Sequence, residues 1–201
     1  PTRIGLIQEI NDKIPNGIGV EVGVFKGEFS KKILENWDCT LYMIDVWDSL
    51  PKDEYIDASD HGNFDENEIY GAAINNIKGY EDRAIMIRAK SEAASCMFND
   101  NSLDFVYIDA NHAYDYVVQD IELWFPKVKK GGYLCGHDYL CFDWYGDPNY
   151  AENKKDKFIW STEGDYMGVF GVNPAVDEFC QKYGYELKVT NEWLGTWYIK
   201  K

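Results

Sequence analysis

Short apolar segments alternate along the chain with segments whose apolar residues recur every three or four positions. The short segments predict β-strands, because they are rich in β-branched residues and are bounded by turn residues. They cover 17–23, 40–45, 84–88, 103–108 and 132–136. The periodic segments predict helices between these strands, at 28–37, 66–77, 91–98 and 114–125, with Ser91 as an N-cap.

A different pattern follows the fifth strand. Asn173 and Pro174 supply an N-cap and a first-position proline for a helix that ends at Gly184. Two strands at 185–190 and 196–200 then form an antiparallel pair. The pattern therefore predicts an α/β fold: a doubly wound, mostly parallel seven-stranded sheet with helices on both faces and an antiparallel strand near the C-terminus.

Two long connections interrupt this pattern. We expect one domain over residues 1–201, with lid-like insertions at about 48–65 and 140–172. The second insertion carries six aromatic residues: Phe142, Trp144, Tyr145, Tyr150, Trp160 and Tyr166. Two interpretations stay open, a lid over an organic acceptor and a separate hydrophobic cluster beneath a long loop.

Composition narrows the classes of partner. The 201 residues include 35 acidic side chains and 20 Lys and Arg, so the formal net charge is −15. Nucleic acid and anionic membrane surfaces are disfavoured as partners, because such a surface repels phosphate on average. Five cysteines without a Cys-x-x-Cys pair indicate reduced thiols, and no apolar run approaches the ~18 residues of a membrane span. We expect a cytoplasmic protein with a small-molecule ligand, while a homo-oligomer stays open.

Glycines and a carboxylate follow the first two predicted strands. Ligands of open α/β sheets bind outside the carboxyl ends of the strands, so these positions are candidate binding residues. Gly23 and Gly27 allow a tight turn after strand one, and Asp45 ends strand two at the spacing of a nucleoside-binding unit. The glycines do not form G-x-G-x-x-G, so a dinucleotide pyrophosphate lacks its usual cradle and an NAD-dependent oxidoreductase is the weaker option.

The next three strand ends are polar as well. Ala89-Lys-Ser91 follows strand three, Asp109-Ala-Asn-His112 follows strand four, and His137-Asp-Tyr139 follows strand five. Each cluster by itself has an ordinary structural explanation, such as a helix cap or a loop hydrogen bond. Together they predict one continuous polar rim, because parallel strands end at the same edge of a sheet.

Several of these segments carry a family resemblance. Residues 20–30 (Val-Glu-Val-Gly-Val-Phe-Lys-Gly-Glu-Phe-Ser) resemble motif I of class I S-adenosylmethionine-dependent methyltransferases, and 42–47 (Tyr-Met-Ile-Asp-Val-Trp) are similar to the second motif. Residues 103–114, 120–124 and 130–139 resemble a small-molecule branch that includes macrocin O-methyltransferase and cephalosporin hydroxylase-like proteins. The resemblance covers about 17–139 well and 172–199 weakly. It implies a Rossmann-like fold with S-adenosylmethionine as cofactor.

The resemblance also implies roles for individual residues. Glu21, Gly23 and Gly27 would hold the methionine end of the cofactor, and Asp45 would bind the ribose hydroxyls. Asp109 would lie near the reacting centre. The resemblance further suggests that Ser91 contacts the adenine edge and that Trp47 packs near the adenine, although a buried core indole explains Trp47 equally well.

Some relatives bind a divalent cation beside the cofactor, and the corresponding positions here are Asp109, His137 and Asp138. Two carboxylates and an imidazole suit Mg²⁺, Mn²⁺ or a softer metal, although Mg²⁺ prefers oxygen ligands only. Without a metal, His137 is the first candidate general base and His112 the second, because histidine titrates near neutral pH. In a further interpretation, both histidines only connect the strand-end loops.

These observations predict a methyltransferase that acts on a hydroxyl of a small molecule, such as a sugar or natural product. The alternative is a non-methylating relative with the same fold, either a hydroxylase-like enzyme or a cofactor-binding subunit.

Overall fold

A computed structural model describes residues 1–48, 65–140, 158–162, 165–192 and 194–201. The helices are α1 (Arg3–Lys13), α2 (Glu28–Asn36), α3 (Glu66–Asn76), α4 (Ser91–Ser95), α5 (Tyr114–Trp124) and α6 (Val172–Tyr183). The strands are β1 (Gly17–Val22), β2 (Cys39–Asp45), β3 (Ala84–Arg88), β4 (Leu103–Ile108), β5 (Val128–Leu140), β6 (Phe158–Thr162), β7 (Asp165–Phe170), β8 (Lys188–Val189) and β9 (Leu194–Lys200). A 3-10 turn, Phe125–Lys127, joins α5 to β5.

Seven strands form one sheet in the order β3-β2-β1-β4-β5-β9-β8. The first five run parallel, and β9 pairs antiparallel with both β5 and β8. The chain reverses its direction of winding between β1 and β4, which is the point where open α/β sheets form a ligand crevice. The predicted doubly wound fold is confirmed.

Both faces of the sheet are covered by apolar side chains. All six residues of β4 are buried, as expected for a central strand with helices on both sides. Phe105 packs in one cluster, where it meets Trp37 edge-on at 5.5 Å, and its neighbour Val106 packs in the cluster on the other face with Trp124. Both faces of the sheet are therefore packed, and the strand ends at its carboxyl edge rest on a buried core.

The structure differs from the sequence prediction at several helix ends. Helix α1 was not predicted. Ser91 is not an N-cap: Lys90 takes that position and Ser91 is the first residue of a short helix. Asn173 is not an N-cap either, because α6 already begins at Val172, after Gly171. Gly171 donates its N–H to the carbonyl of His112 at 2.6 Å, so a contact with the β4–α5 loop sets the start of α6.

The two predicted insertions are described only in part. Residues 49–64 and 141–157 lie outside the described residues, and with them Phe142, Trp144, Tyr145 and Tyr150. Within the second insertion, β6 and β7 form a separate antiparallel pair that contains the backbone of Trp160 and Tyr166. The aromatic lid stays a prediction. Within the described part of the chain, no helix has the length and apolar character needed to cross a membrane.

Candidate active site at the carboxyl edge of the sheet

The loop from β1 to α2 lies directly against the end of β4. Gly23 has φ +88°, a conformation that favours glycine, and a Cβ atom there would overlap the backbone carbonyl of Asp109. Gly27, with φ +74°, precedes the first residue of α2. The structure thus places Gly23 against the end of β4, while Gly27 lies against the backbone of Ala73 in α3.

Asp45 holds this loop in place. Its Oδ2 accepts hydrogen bonds from the backbone N–H groups of Val24 and Phe25, both at 2.8 Å. Its Oδ1 accepts from the N–H of Trp47, also at 2.8 Å. A carboxylate accepts about four hydrogen bonds, so the half-buried side chain keeps some capacity for a ligand. Binding of ribose hydroxyls by Asp45 stays a prediction.

Trp47 is part of the core. The indole is 3% exposed, and its Nε1 donates to the carbonyl of Phe25 at 2.9 Å. Its ring packs edge-on against Tyr70 at 5.1 Å. The structure shows the buried-indole alternative, in which Trp47 supports the same loop that Asp45 holds, while a contact with adenine stays a prediction.

Glu21 lies beneath the loop with only 1% of its surface exposed. The hydroxyl of Ser30, in the first turn of α2, donates to its carboxylate. Burial raises the pKa of Glu21 to about 8, even though the hydrogen bond from Ser30 lowers it. Glu21 is therefore mostly protonated at pH 7 and supports the crevice from below, and its predicted contact with the cofactor stays untested. Ser30 was missed in the sequence, although it follows Gly27 within the resembling segment.

Ser91 is engaged with α5. Its hydroxyl donates to Asp120 and accepts from the indole Nε1 of Trp124 at 2.8 Å. Burial raises the pKa of Asp120 to about 7, against the lowering effect of the hydrogen bond from Ser91. The predicted contact of Ser91 with an adenine edge stays a prediction, because the hydroxyl already serves this buried network.

Four side chains from two strand ends meet beside the crevice. His112 Nε2 lies 2.7 Å from Asp138 Oδ2 and 3.7 Å from Asp109 Oδ1. His137 Nδ1 lies 3.0 Å from Asp138 Oδ1 and 3.8 Å from Asp109 Oδ2. All the residues predicted as catalytic or metal-binding are therefore brought together, with Asp138 between the two histidines.

A bulge in β5 produces this arrangement. The pairing of β5 with β9 shifts register between Gly136 and Tyr139, and Asp138 has φ +57°. Bulges redirect side chains at strand ends, and here the bulge turns His137 and Asp138 towards Asp109. Burial alone would raise the pKa of Asp138, but the contacts with both histidines outweigh it and hold that pKa below its ordinary value. Asp138 is thus an ionised carboxylate at neutral pH.

The donor set fits a divalent cation. Three potential ligand atoms lie within 4.8 Å of one another, one each from Asp109, His137 and Asp138. All three residues belong to the polar rim. Two carboxylate oxygens and one imidazole nitrogen form a mixed ligand set that Mn²⁺ and softer metals accept more readily than Mg²⁺. His112 lies behind this set, 9% exposed at its side chain, where it can orient Asp138.

Comparison with known proteins agrees with this geometry. A sequence model described as a methyltransferase domain matches residues 20–139, which is more than half of the chain and includes both the glycine loop and the Asp109–Asp138 cluster. The chain belongs to the methyltransferase domain family. In this methyltransferase domain, the crevice between β1 and β4 lies at the position where open α/β sheets bind their ligands.

Individual proteins similar to this methyltransferase domain include a viral protein and two bacterial proteins of known structure. Uncharacterized protein R132 of Acanthamoeba polyphaga mimivirus is 27% identical over 140 residues, which are 67% of this chain and 57% of that protein. A Staphylococcus aureus protein provisionally described as a caffeoyl-CoA O-methyltransferase has 17% identity and a TM-score of 0.63, with 98% of this chain and 82% of that chain covered.

The third is an O-methyltransferase family protein from Burkholderia thailandensis, with 12% identity and a TM-score of 0.64 over 98% of this chain and 55% of that chain. At these identities the structural similarities establish the fold. The chain spans little more than half the length of the viral relative.

Proposed function

We propose that the protein transfers the methyl group of S-adenosylmethionine to an oxygen of a small-molecule acceptor. One observation carries this proposal: the glycine loop held by Asp45 lies against Asp109, which also belongs to the histidine–carboxylate cluster. A cofactor site and a proton-transfer site therefore share one crevice. The net charge of −15 disfavours a nucleic-acid acceptor.

The cofactor supplies a methyl group activated by its positively charged sulfur. Methyl transfer is an in-line displacement, so the main contribution of the protein is to align donor and acceptor. The loop after β1 and the carboxylate of Asp45 would hold the nucleoside part. Asp109 would place negative charge beside the methionine end of the cofactor, which carries an ammonium group.

His137 is the proposed general base for the acceptor hydroxyl. Its Nδ1 lies 3.0 Å from Asp138 Oδ1, which would keep the proton of the neutral imidazole on Nδ1 and leave Nε2 to accept a proton. The carboxylate of Asp138 would then stabilise the imidazolium that forms. His112 Nε2 lies 2.7 Å from the other oxygen of Asp138, so a protonated His112 would pair with this carboxylate, and its own action as a base stays a second option.

A divalent cation offers another way to activate the hydroxyl. Asp109, His137 and Asp138 would hold it, and such a cation lowers the pKa of a bound hydroxyl. Imidazole cannot bind the metal and accept the substrate proton through the same nitrogen, so the two versions of the site differ in the role of His137.

Isothermal titration calorimetry with S-adenosylhomocysteine tests the cofactor site. We expect S-adenosylhomocysteine to bind the native protein. We expect the affinity of Asp45→Ala to be weaker by about 10-fold or more, because the loop loses its charged hydrogen-bond acceptor. Asp48→Ala is the matched control, since that neighbouring carboxylate is exposed and pairs only loosely with Arg88 at 3.8 Å. No binding to the native protein, or equal affinity in all three, would contradict the proposal.

Transfer itself is tested with a methyl-labelled cofactor. The labelled donor is incubated with separate pools of small metabolites, RNA and protein, and incorporation is measured in each. We expect label in the small-molecule pool, as an alkali-stable methyl ether. Binding of the cofactor without incorporation into any pool would favour the cofactor-binding subunit instead.

A further inference from the structure

Arg3 is a cation at an edge dominated by carboxylates. It is the first residue of α1, and its guanidinium lies 4.3 Å above the ring centroid of Phe29, in the first turn of α2. It interacts electrostatically with the carboxylates of Asp109 and Glu192. The start of α1 thus places a positive charge beside the same crevice that the glycine loop borders.

The hydrogen-bonding capacity of Arg3 is largely unused. A guanidinium has five N–H donors. Among the described residues, the one hydrogen bond from its side chain runs from Nη1 to the hydroxyl of Tyr107, at the long distance of 3.4 Å. Its backbone N–H binds Glu192 Oε2 at 2.7 Å, which fixes the start of the helix but uses no side-chain donor. Several donors of a half-buried guanidinium therefore remain for a ligand.

The amino-acid end of the proposed cofactor needs both signs of charge. It carries an ammonium group and a carboxylate, and the negative charge of Asp109 attracts only the ammonium group. An arginine fork matches the two oxygens of a carboxylate with two parallel hydrogen bonds. The guanidinium rests on the ring of Phe29 and on the hydroxyl of Tyr107, and these two rings contact each other with their centroids 4.5 Å apart.

We propose that Arg3 binds the carboxylate of the methionine moiety of the cofactor, opposite the negative charge of Asp109. This inference rests on the proposed function. It assigns the helix that precedes the matched family segment, residues 20–139, to cofactor binding. It also makes Arg3 a determinant of specificity, because a nucleoside that lacks the amino-acid end gains nothing from it.

Calorimetry with three ligands tests the assignment. The ligands are S-adenosylhomocysteine, its decarboxylated analogue, and 5′-methylthioadenosine, which lacks the whole amino-acid end. We expect Arg3→Met to weaken S-adenosylhomocysteine by about 10- to 100-fold and to leave the other two ligands within about 2-fold. Arg3→Lys keeps the charge without the fork and should give an intermediate loss.

Lys13→Met is the matched control, because it removes one cation from the far end of α1, where Lys13 pairs with Glu9 at 2.5 Å in an exposed position. It should leave all three affinities unchanged. Equal weakening of all three ligands by Arg3→Met and Arg3→Lys would overturn the inference and indicate a structural role in packing α1 on α2. An unchanged affinity for S-adenosylhomocysteine in both variants would overturn it as well. Failure of the native protein to bind any of the ligands would instead overturn the proposed function, and this inference with it.

Discussion

Gly23 and Asp109 are packed so closely that a side chain at residue 23 would occupy the position of the Asp109 carbonyl. The contact joins the end of β1 to the end of β4, and Gly23 also donates its N–H to the carbonyl of Ile44 at 2.8 Å. Three strand ends therefore meet at one glycine. The shape of the crevice depends on this contact.

Replacing Gly23 by alanine should destabilise the fold more than a comparable glycine elsewhere. We expect Gly23→Ala to lower the free energy of unfolding by about 2–5 kcal/mol, from backbone strain and overlap together. Gly79→Ala is the control, because Gly79 has nearly the same φ, +89°, but no atom within 4 Å of its Cβ position. Its cost should be the strain alone, about 1–2 kcal/mol. Equal losses of unfolding free energy in the two variants, measured by urea unfolding, would show that overlap with Asp109 adds nothing to the cost of Gly23→Ala.

Glu21 should make stability depend on pH. Its pKa is raised to about 8 in the folded protein from an ordinary 4.5. Below pH 4.5 the carboxyl of Glu21 is protonated in both the folded and the unfolded state, so its burial carries no ionic cost. Between pH 4.5 and 8 this carboxyl is ionised in the unfolded state but still protonated in the folded state, so the free energy of unfolding falls as pH rises. The slope from this group approaches about 1.4 kcal/mol per pH unit.

Glu21→Gln removes this titration and keeps a polar group for Ser30. We expect the variant to gain stability relative to the native protein as pH rises from 5 to 8, which denaturant unfolding across that range measures. Glu68→Gln, at an exposed position of α3, controls for the loss of one carboxylate. Parallel curves for the native protein and Glu21→Gln would mean that the carboxyl of Glu21 does not titrate in this window.

Ser91 should contribute mainly to stability. Ser91→Ala leaves the buried carboxyl of Asp120 without its donor and the indole of Trp124 without its acceptor. We expect a loss of about 1–3 kcal/mol in urea unfolding. Ser102→Ala is the control, because that hydroxyl donates to the carbonyl of Asn99 at 2.7 Å in an exposed turn and should cost less. A stability equal to that of the native protein, with a weakened affinity for S-adenosylhomocysteine, would favour the predicted adenine contact instead.

The carboxylate–histidine cluster should bind Mn²⁺. Titration followed by the electron paramagnetic resonance signal of the free ion should show one bound Mn²⁺ per chain, with Mg²⁺ competing weakly. Asp109→Ala should weaken binding by at least about 10-fold, because it removes one of three ligands. Asp115→Ala, at an exposed position in the first turn of α5, should leave it unchanged. An unaltered free-ion signal at millimolar Mn²⁺ would leave His137 as a base without a metal.

The sequence alone predicted the sheet and its polar rim because both follow from local patterns. The apolar run of β4 and the position of Asp109 after it are readable without knowledge of the rest of the chain. The same holds for the glycines after β1. The rule that ligands lie at the carboxyl ends of parallel strands then brings distant residues together.

The details that were missed depend on contacts between distant segments. Ser91 resembles an N-cap in its local sequence, but a hydrogen bond to Asp120, 29 positions away, determines its role. The bulge that aims His137 and Asp138 depends on the register with β9, which no local pattern encodes. Helix α1 was detectable: Leu6, Ile7 and Ile10 recur at helical spacing and are all buried.

The reversal of winding between β1 and β4 has a further consequence. Gly19 pairs with Leu41 on one side and with Phe105 on the other, so the two pairings close chain segments of very different length. The longer closure costs about 1 kcal/mol more in chain entropy. A ligand in the crevice would touch the locally assembled half of the sheet and the distant half at once. It would therefore stabilise the pairing of β1 with β4, which has the larger entropic cost of closure.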